Sequence, residues 1–198
     1  MVLSEVKAIL PQGIFQCKKV DDKNMASALP LSNISFEEFL SSNRLIGVTE
    51  VSLPDFEFMN VEEIQGSGVA GKFSAPIIGF LDSAEMELTW RTIVQDLKYF
   101  SKPEAIDLTL YGAMETYDHS RGKLGVEKIK ITTRAFNKKL SPGSLKAAKQ
   151  TETKTTLEML TCKIEVGGKV ILDFDKINYK YIVDGTDYLQ STRSALGI

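Results

Sequence analysis

The chain has 198 residues, of which 43% are hydrophobic and 25% are charged, an ordinary composition for one globular domain with a sizeable core. Its formal net charge is −2, which argues against a generally basic, nucleic-acid-binding protein. The longest apolar run, residues 75–81, contains Pro76 and Gly79 and is too short for a membrane-spanning helix.

The cellular setting is indicated by two further features. Glu5 and Lys7 interrupt the apolar region that a signal peptide would need, so we expect no signal peptide. Cys17 and Cys162 are the only cysteines and lie far apart in the sequence. This favours free thiols and a cytosolic setting over a disulfide framework, although the two could meet in space.

The charges are unevenly distributed along the chain. Residues 50–119 contain thirteen acidic and four basic residues, a net charge of −9, and residues 120–154 contain ten basic and two acidic residues, a net charge of +8. Two differently solvated faces would produce this pattern. A contact between the basic segment of one copy and the acidic segment of another would produce it as well.

Residues 1–45 are expected to form an extension or arm ahead of the main domain. The pattern predicts a short helix at 3–10 and a polar arm at 18–27. Ser35 followed by Glu38 matches a capping box and predicts a second short helix. Its apolar side would consist of Phe36, Phe39 and Leu40.

Two strands are predicted at 46–53 and 56–64, followed by a glycine loop from Gly66 to Gly71. The loop matches the GxGxxG dinucleotide-binding fingerprint, which requires a helix to begin within it. Pro76 and Gly79 stand where the interior of that helix would be, which disfavours a nucleotide site. The glycines are better explained by a tight turn and close approach of another backbone.

Residues 84–91 show the clearest alternation in the chain and predict a strand with one dry and one charged face. The dry side carries Ala84, Met86, Leu88 and Trp90, and the wet side carries Glu85, Glu87, Thr89 and Arg91. We interpret the hairpin spanning 53–92 as part of a wall in a polymer. The predicted function is therefore assembly.

A helix is predicted at 93–100, with Thr92 as its N-cap and Pro103 beyond its end. Half-buried strands follow at 106–115 and 126–135, joined by a polar turn. In the second strand, Ile129 and Ile131 are expected to face inward, and Lys128, Lys130 and Arg134 outward.

The last third of the chain begins with a basic loop, 137–154, around a Pro142-Gly143 turn. It has no interleaved aromatic residues, so a nucleic-acid-binding role is disfavoured. Strands at 155–166 and 169–174 flank Gly167-Gly168, a strong hairpin signal. A strand at 177–183 and a C-terminal helix capped by Thr186 complete the pattern. About eight strands and one or two helices predict a mainly β, antiparallel sandwich or barrel.

Catalytic and metal-binding patterns are missing from the sequence. The single histidine, His119, lies in a polar turn, and there is no HExxH, CxxC or GxSxG motif. Glu85 and Glu87 could act as paired carboxylates, but on an open strand beside Arg91 a solvated stripe explains them better. We therefore expect no enzyme activity, no cofactor and no metal.

Three stretches together resemble one family. They are Leu53-Pro54 with the following glycine loop, Ser141-Pro142-Gly143 with Lys146, and the C-terminal run KIEVGGKVILDFDKINYKYIVDGTDYLQSTRSALGI. In their order and spacing they resemble the major tail tube proteins of contractile-tailed phages and phage-tail-like bacteriocins. The resemblance covers about residues 46–198, which we take as the tail-tube β domain.

The resemblance implies hexameric rings that stack into a hollow tube. A contractile sheath would surround this tube, a baseplate would support it, and a tape-measure protein would lie inside. In a phage the tube would conduct double-stranded DNA without sequence recognition, and it would be part of the virion tail after assembly in the host bacterial cytoplasm. A DNA-free particle, such as a bacteriocin or a related injection device, is the alternative.

Site predictions follow from this resemblance and from the charge pattern. We expect Glu85, Glu87 and Arg91 to line the lumen. We expect contacts between subunits or rings at two loops, through Gly66, Gly68, Gly71, Lys72, Lys138, Lys139, Pro142, Gly143 and Lys146. Two rival functions remain open at this point, a β-barrel carrier of a small ligand and a nucleotide-dependent oxidoreductase.

Overall fold

The computed structural model describes residues 28–41, 43–45, 47–60, 63 and 70–198. The helix predicted at 3–10 and the arm at 18–27 fall outside these ranges. The described part contains β1 (Ala28–Leu40), β2 (Asn43–Arg44), β3 (Val48–Ser52), β4 (Phe58–Asn60), β5 (Pro76–Leu81), β6 (Glu85–Trp90), α1 (Leu97–Phe100), β7 (Ala105–Asp118), β8 (Lys123–Ser141), β9 (Thr153–Val166), β10 (Lys169–Asp175), β11 (Lys180–Val183), β12 (Thr186–Asp187) and α2 (Gln190–Leu196). The mainly β, antiparallel prediction is confirmed.

Ten of the strands form one antiparallel sheet in the order β12-β11-β10-β9-β8-β7-β1-β2, with β6 beside β9 and β3 beside β6. Strand β9 has two different neighbours along one edge, because its first half pairs with β6 and its second half with β10. Beyond β9 the sheet therefore continues as two separate groups of strands, β6 with β3 and β10 with β11 and β12. Both groups are joined through β9 to the long strands β8 and β7. The remaining pair, β4 and β5, forms a small second sheet.

The core lies on one face of the long strands. The dry side of β6 is fully buried, with Ala84 at 1% exposure and Met86, Leu88 and Trp90 at 0%. These side chains form one buried cluster with the core-facing residues of β7, β8 and β9. Within this cluster the Trp90 and Phe100 rings meet edge to face. The predicted alternation in β6 is thus confirmed.

The small sheet closes the core on the side of β10 and β11. Phe56 packs edge to face on Phe174, and Phe58 on Tyr181. At Gly79 in β5, a Cβ atom would stand 2.6 Å from the Leu189 side chain, so only glycine allows this approach. The apolar run around Pro76 is therefore a strand that the sequence pattern did not reveal.

The helix predicted from Ser35 and Glu38 is wrong, because these residues lie in β1, paired with β7 along its whole length. The capping pattern is local, whereas the long β7 edge offers a ladder of backbone hydrogen bonds. The ladder determines the structure. Two β-bulges, at Leu31 and Ile34, absorb the mismatch in spacing.

Both predicted helix starts also need correction. Helix α1 covers only Leu97–Phe100 and is preceded by Asp96, so Thr92 does not cap it; its hydroxyl lies 3.3 Å from that of Thr151. Thr186 lies in β12, and α2 begins after Leu189. No helix in the described ranges is long and apolar enough to cross a membrane.

Candidate assembly surfaces

Part of the sheet extends beyond the core as three strands. Residues 28–36 of β1 pair with 112–118 of β7, which pair with 123–129 of β8. Strand β9 reaches β8 only as far as Ile129, so no described strand pairs with the outer edge of β8 beyond that residue. We call it the three-stranded extension. Every described β1 side chain from 29 to 37 is exposed.

The three-stranded extension carries exposed apolar side chains. Leu29 and Leu31 are each 54% exposed, Leu124 is 65% exposed and Val126 is 68% exposed. Exposed apolar side chains grouped in this way are typical of a surface that binds another protein. The sequence pattern did not identify it, because residues 1–45 were predicted as an arm with two short helices and residues 117–125 as a polar turn.

The same extension has two unpaired edges among the described residues. One is the outer edge of β1, which has a partner only near its end, where Phe39 and Leu40 meet β2. The other is residues 123–128 of β8. Open edges promote pairing with another chain, and proteins normally protect them. The two edges differ in sequence, so a contact between them would be heterologous.

The predicted lumen residues Glu85 and Glu87 lie on the polar face of the sheet, opposite the core. Lys138 Nζ contacts Glu85 Oε1, and Lys154 Nζ lies 2.7 Å from Glu87 Oε1. The hydrogen bond to Glu85 and the charge of Glu85 raise the pKa of Lys138, and Glu87 does the same for Lys154. The acidic and basic segments thus meet here within one chain.

Further ion pairs continue across the same polar face. Arg134 Nε lies 3.0 Å from Asp107 Oδ1. Glu165 accepts contacts from Lys163 at 3.0 Å and from Lys130 at 3.6 Å, and the hydrogen bond from Lys163 holds the pKa of Glu165 below its usual range. The outward orientation predicted for Lys130 and Arg134 agrees with these contacts. The polar face is therefore a mixture of paired charges.

Glu158 links the polar face to the turns before β6 and after β10. Partial burial disfavours its ionised form, but hydrogen bonds from Ser83 Oγ, Lys176 Nζ and the Ala84 backbone N–H outweigh that effect, and its pKa is lowered. The Lys176 Nζ also donates to the Asp82 carbonyl at 2.8 Å. This network fixes the turn before β6.

The predicted contact loops are partly described. Gly66 and Gly68 lie outside the described residues. Gly71 is exposed, with φ 141°, and Lys72 pairs with Glu63 at 3.1 Å on the surface. The third predicted lumen residue, Arg91, is exposed at the end of β6 and lies at the opposite end of that strand from Glu85.

The basic loop is shorter than predicted, because β8 continues to Ser141 and β9 begins at Thr153. Thr153 Oγ1 donates to the Pro142 carbonyl at 2.8 Å, and Ser144 N donates to the Thr151 carbonyl at 3.1 Å. The loop is thus closed at its base. Lys139, Lys146 and Lys149 are not brought together with Glu85 or Glu87 by any described contact, and Lys146 is exposed.

The described residues hold no cluster of His, Cys, Asp or Glu that could bind a metal ion. Cys162 is buried, and burial raises the pKa of its thiol to about 12, so it is an inert core residue. His119 lies in the exposed turn after β7, with its ring 6.4 Å from that of Tyr117. Cys162 is therefore a residue of the core, and His119 is a residue of the solvent-exposed surface.

These surfaces define a β-sheet subunit with open edges and a projecting apolar extension. The family model described as phage tail tube protein FII matches residues 33–197. The tail tube protein of Escherichia phage P2 is 24% identical over 181 residues, which cover 88% of this chain and 99% of the phage protein. The chain therefore belongs to the phage tail tube protein FII family.

Two cryo-EM structures of an extracellular contractile injection system, PVC, are also similar. The sheath/tube terminator in the extended state is 18% identical, with a TM-score of 0.47. The match covers 69% of this chain and 97% of the terminator chain. A chain of the sheath-tube complex in the extended state is 18% identical, with a TM-score of 0.45. The match covers 66% of this chain and 87% of that chain.

Family membership settles the broad function. The protein is a phage tail tube protein and a structural tail component, not an enzyme. It is therefore neither the nucleotide-dependent oxidoreductase nor the small-ligand carrier that the sequence left open.

Proposed function

We propose that copies of this chain form hexameric rings that stack into the inner tube of a contractile tail and conduct double-stranded DNA. The observation that carries the proposal is the three-stranded extension, which has one open edge at β1 and a different open edge at 123–128 of β8. Pairing the β1 edge of one copy with the β8 edge of the next joins the extensions into a continuous wall. Within such a ring the three-stranded extensions have no free edge left.

Coverage of the apolar side chains supports the same arrangement. Leu124 and Val126 stand beside the β8 edge, and Leu29 and Leu31 beside the β1 edge. Edge pairing therefore brings the two exposed groups together and removes them from water. Each buried methylene contributes about 0.8 kcal/mol, so the contact has a substantial hydrophobic component.

The polar face of the sheet is suited to the inside of the proposed tube. DNA carries one negative charge per about 1.7 Å of its axis, and a strongly basic wall would hold it. Here Arg134, Lys138 and Lys154 of the polar face are paired with the carboxylates of Asp107, Glu85 and Glu87. At physiological salt, charges are screened over about 8 Å, so a wall of neutralised pairs attracts DNA weakly and permits sliding.

Ring formation is tested by replacing Val126 with Glu, since Val126 is 68% exposed and makes no contribution to the core. We expect the purified variant to remain a folded protomer at concentrations where the wild type forms rings or tubes in electron micrographs. The matched control is Ile177→Glu, at a position 64% exposed in the turn after β10, which should assemble normally. Long tubes from the Val126 variant would contradict the proposal.

The cargo is tested on the native particle. A tail attached to a DNA-filled capsid, from which DNA leaves through the tube, supports the conduit role. A purified particle with sheath and tube but neither capsid nor DNA identifies the alternative, a DNA-free injection device. The partners proposed for the tube, namely the sheath, baseplate and tape-measure proteins, should co-purify with it in either case.

A further inference from the structure

An acidic side chain is buried at the end of β1. Glu38 is 3% exposed and lies on the core side, opposite Leu110 and close to Leu40 and Leu45. Neither carboxyl oxygen has a hydrogen-bond partner among the described residues. An ionised carboxylate in this position would be very unfavourable. Burial accordingly raises the pKa of Glu38 to about 8, and the protomer holds the group as the neutral acid.

A cavity of about 390 Å³ is lined by Glu38 together with its neighbours in β1 and β3, and both oxygens of the carboxyl are buried behind its wall. The charged groups along its wall are Glu37 and Arg44, which pair with each other at 3.0 Å and are largely exposed. From the strands packed against Glu38, β7 presents Leu110 and β3 presents Val48, both uncharged. The cavity is thus a partly polar pocket with one unpartnered acid and space for a cationic side chain.

The pocket and Arg121 lie at opposite ends of the same strands. The pocket is at the end where β1 stops and β7 begins, since Leu40 pairs with Leu108. At the other end, the turn between β7 and β8 carries Arg121, whose side chain is 79% exposed. Its only described ion pair, to Asp118 at 3.7 Å, is long and exposed and therefore contributes little.

We propose that the Glu38 pocket receives the Arg121 side chain of a copy in the adjacent ring, so that the pocket and the β7–β8 turn form a contact between stacked rings. This inference rests on the proposed function. In a barrel of edge-paired strands, the two ends of each strand lie at opposite rims. In a head-to-tail stack, the rim with the turn of one ring faces the rim with the pocket of the next.

The contact couples stacking to proton release. The guanidinium binds the ionised carboxylate, so the O–H bond of Glu38 breaks on binding and its proton passes to the buffer. Below pH about 8, stacking therefore strengthens as the pH rises, by up to about tenfold per pH unit. Above that pH the protomer is already ionised and the dependence ends.

The test uses the purified full-length chain, with rings and tubes counted by electron microscopy and sedimentation at about pH 6 and about pH 8. At about pH 8, Glu38→Gln and Arg121→Gln should each leave rings intact and raise the concentration needed for tubes by roughly tenfold to a hundredfold, as expected for a charge-assisted hydrogen bond. At about pH 6 the difference from wild type should be much smaller, because wild-type stacking must then release a proton. The double variant should be no worse than either single one. Glu104→Gln, an exposed acid at the pocket end, is the matched control and should stack normally.

Two outcomes separate this inference from the proposed function. If wild-type rings form but Glu38→Gln stacks with unchanged strength and pH dependence, or if the two single effects add, the pocket contact is wrong. If the wild type forms no rings at all, the proposed function fails instead. Arg121 is on the surface, so its variant keeps the test valid even if a change at Glu38 disturbs folding, which a thermal melt of the protomer would reveal.

Discussion

At the residue scale, the buried carboxyl of Glu38 makes protomer stability depend on pH. Its pKa is about 8 in the folded chain, against an ordinary value of 4.5 for a glutamate carboxyl. Between these values the folded state binds a proton that the unfolded state releases. The stability that this proton contributes to the folded protomer is therefore fully present below about pH 4.5 and is lost as the pH rises towards 8.

The first prediction is that Glu38→Gln stabilises the unassembled protomer at neutral pH. The amide needs no proton to stay neutral, so the variant lacks the loss that wild type suffers above its unfolded pKa. At pH 7 the gain should be about 3 kcal/mol, from roughly 1.4 kcal/mol per pKa unit. Urea unfolding at about pH 5 and about pH 8.5 measures it. Equal pH dependence in both proteins would contradict the assignment.

Gly143 is the residue on which the basic loop depends most. Its φ is +82°, and a Cβ atom would lie 2.0 Å from the Thr151 carbonyl oxygen, which itself accepts a hydrogen bond from Ser144. Any side chain there therefore clashes with backbone and also occupies a left-handed conformation.

The second prediction compares Gly143→Ala with Gly185→Ala. Gly185 has a similar φ of +78°, but nothing lies within 4 Å of its Cβ position. The control should cost only the conformational strain of about 1–2 kcal/mol. The Gly143 variant should cost clearly more, because the loop base must open. Thermal unfolding of the two protomers measures the difference, and equal losses would show that the clash is relieved without opening the loop.

At the scale of elements, sequence alternation identified the strands whose two faces differ. β6 and the first half of β7 have one side against the core and one side in water, so their patterns are clear. The Gly167-Gly168 turn also gave the β9–β10 hairpin correctly, and both glycines have positive φ. These elements could be predicted because a local signal and the tertiary environment agree.

β1 could not be predicted, for a physical reason. Its residues 29–37 are exposed on both faces, so no alternation distinguishes an inner from an outer side. Its two bulges shift the period as well. The strand exists because β7 supplies a long pairing edge, which is information that lies about eighty residues away in the chain. β5 was missed similarly, since Pro76 and Gly79 conceal it.

The third prediction concerns β6, the element that the core surrounds. Met86 is fully buried there, and Met86→Ala removes its contacts and leaves a cavity. We expect a loss of about 2–5 kcal/mol in the free energy of unfolding. Ile177→Ala, at an exposed position, should change it by less than about 0.5 kcal/mol. A small effect at Met86 would show that the core collapses into the space.

At the scale of the whole molecule, the sequence revealed the function better than the site. Order and spacing of short motifs sufficed for the family, whereas the Glu85 and Glu87 partners required the fold. Lys138 and Lys154 lie more than fifty residues away and meet the glutamates only through the pairing of β6 with β9 and β9 with β8. The lumen role of Glu85, Glu87 and Arg91 stays a prediction.

The fourth prediction tests that role in an infective particle. Glu85→Lys with Glu87→Lys places four lysines together on the polar face and should slow DNA ejection while tubes still form. Exchanging both pairs, by adding Lys138→Glu and Lys154→Glu, keeps the residues and restores the net charge. Ejection should then recover. Unchanged ejection in the first variant would place these residues away from the DNA path.

The strand count of the extension has a consequence for the junction between neighbours. Three antiparallel strands separate its two open edges, so β1 and β8 run in the same direction. Rotation about a ring axis preserves that direction, and each seam between copies is therefore a parallel ladder within an otherwise antiparallel wall. Parallel pairing is slightly weaker per residue, so a dissociating ring should open at its seams before any subunit unfolds.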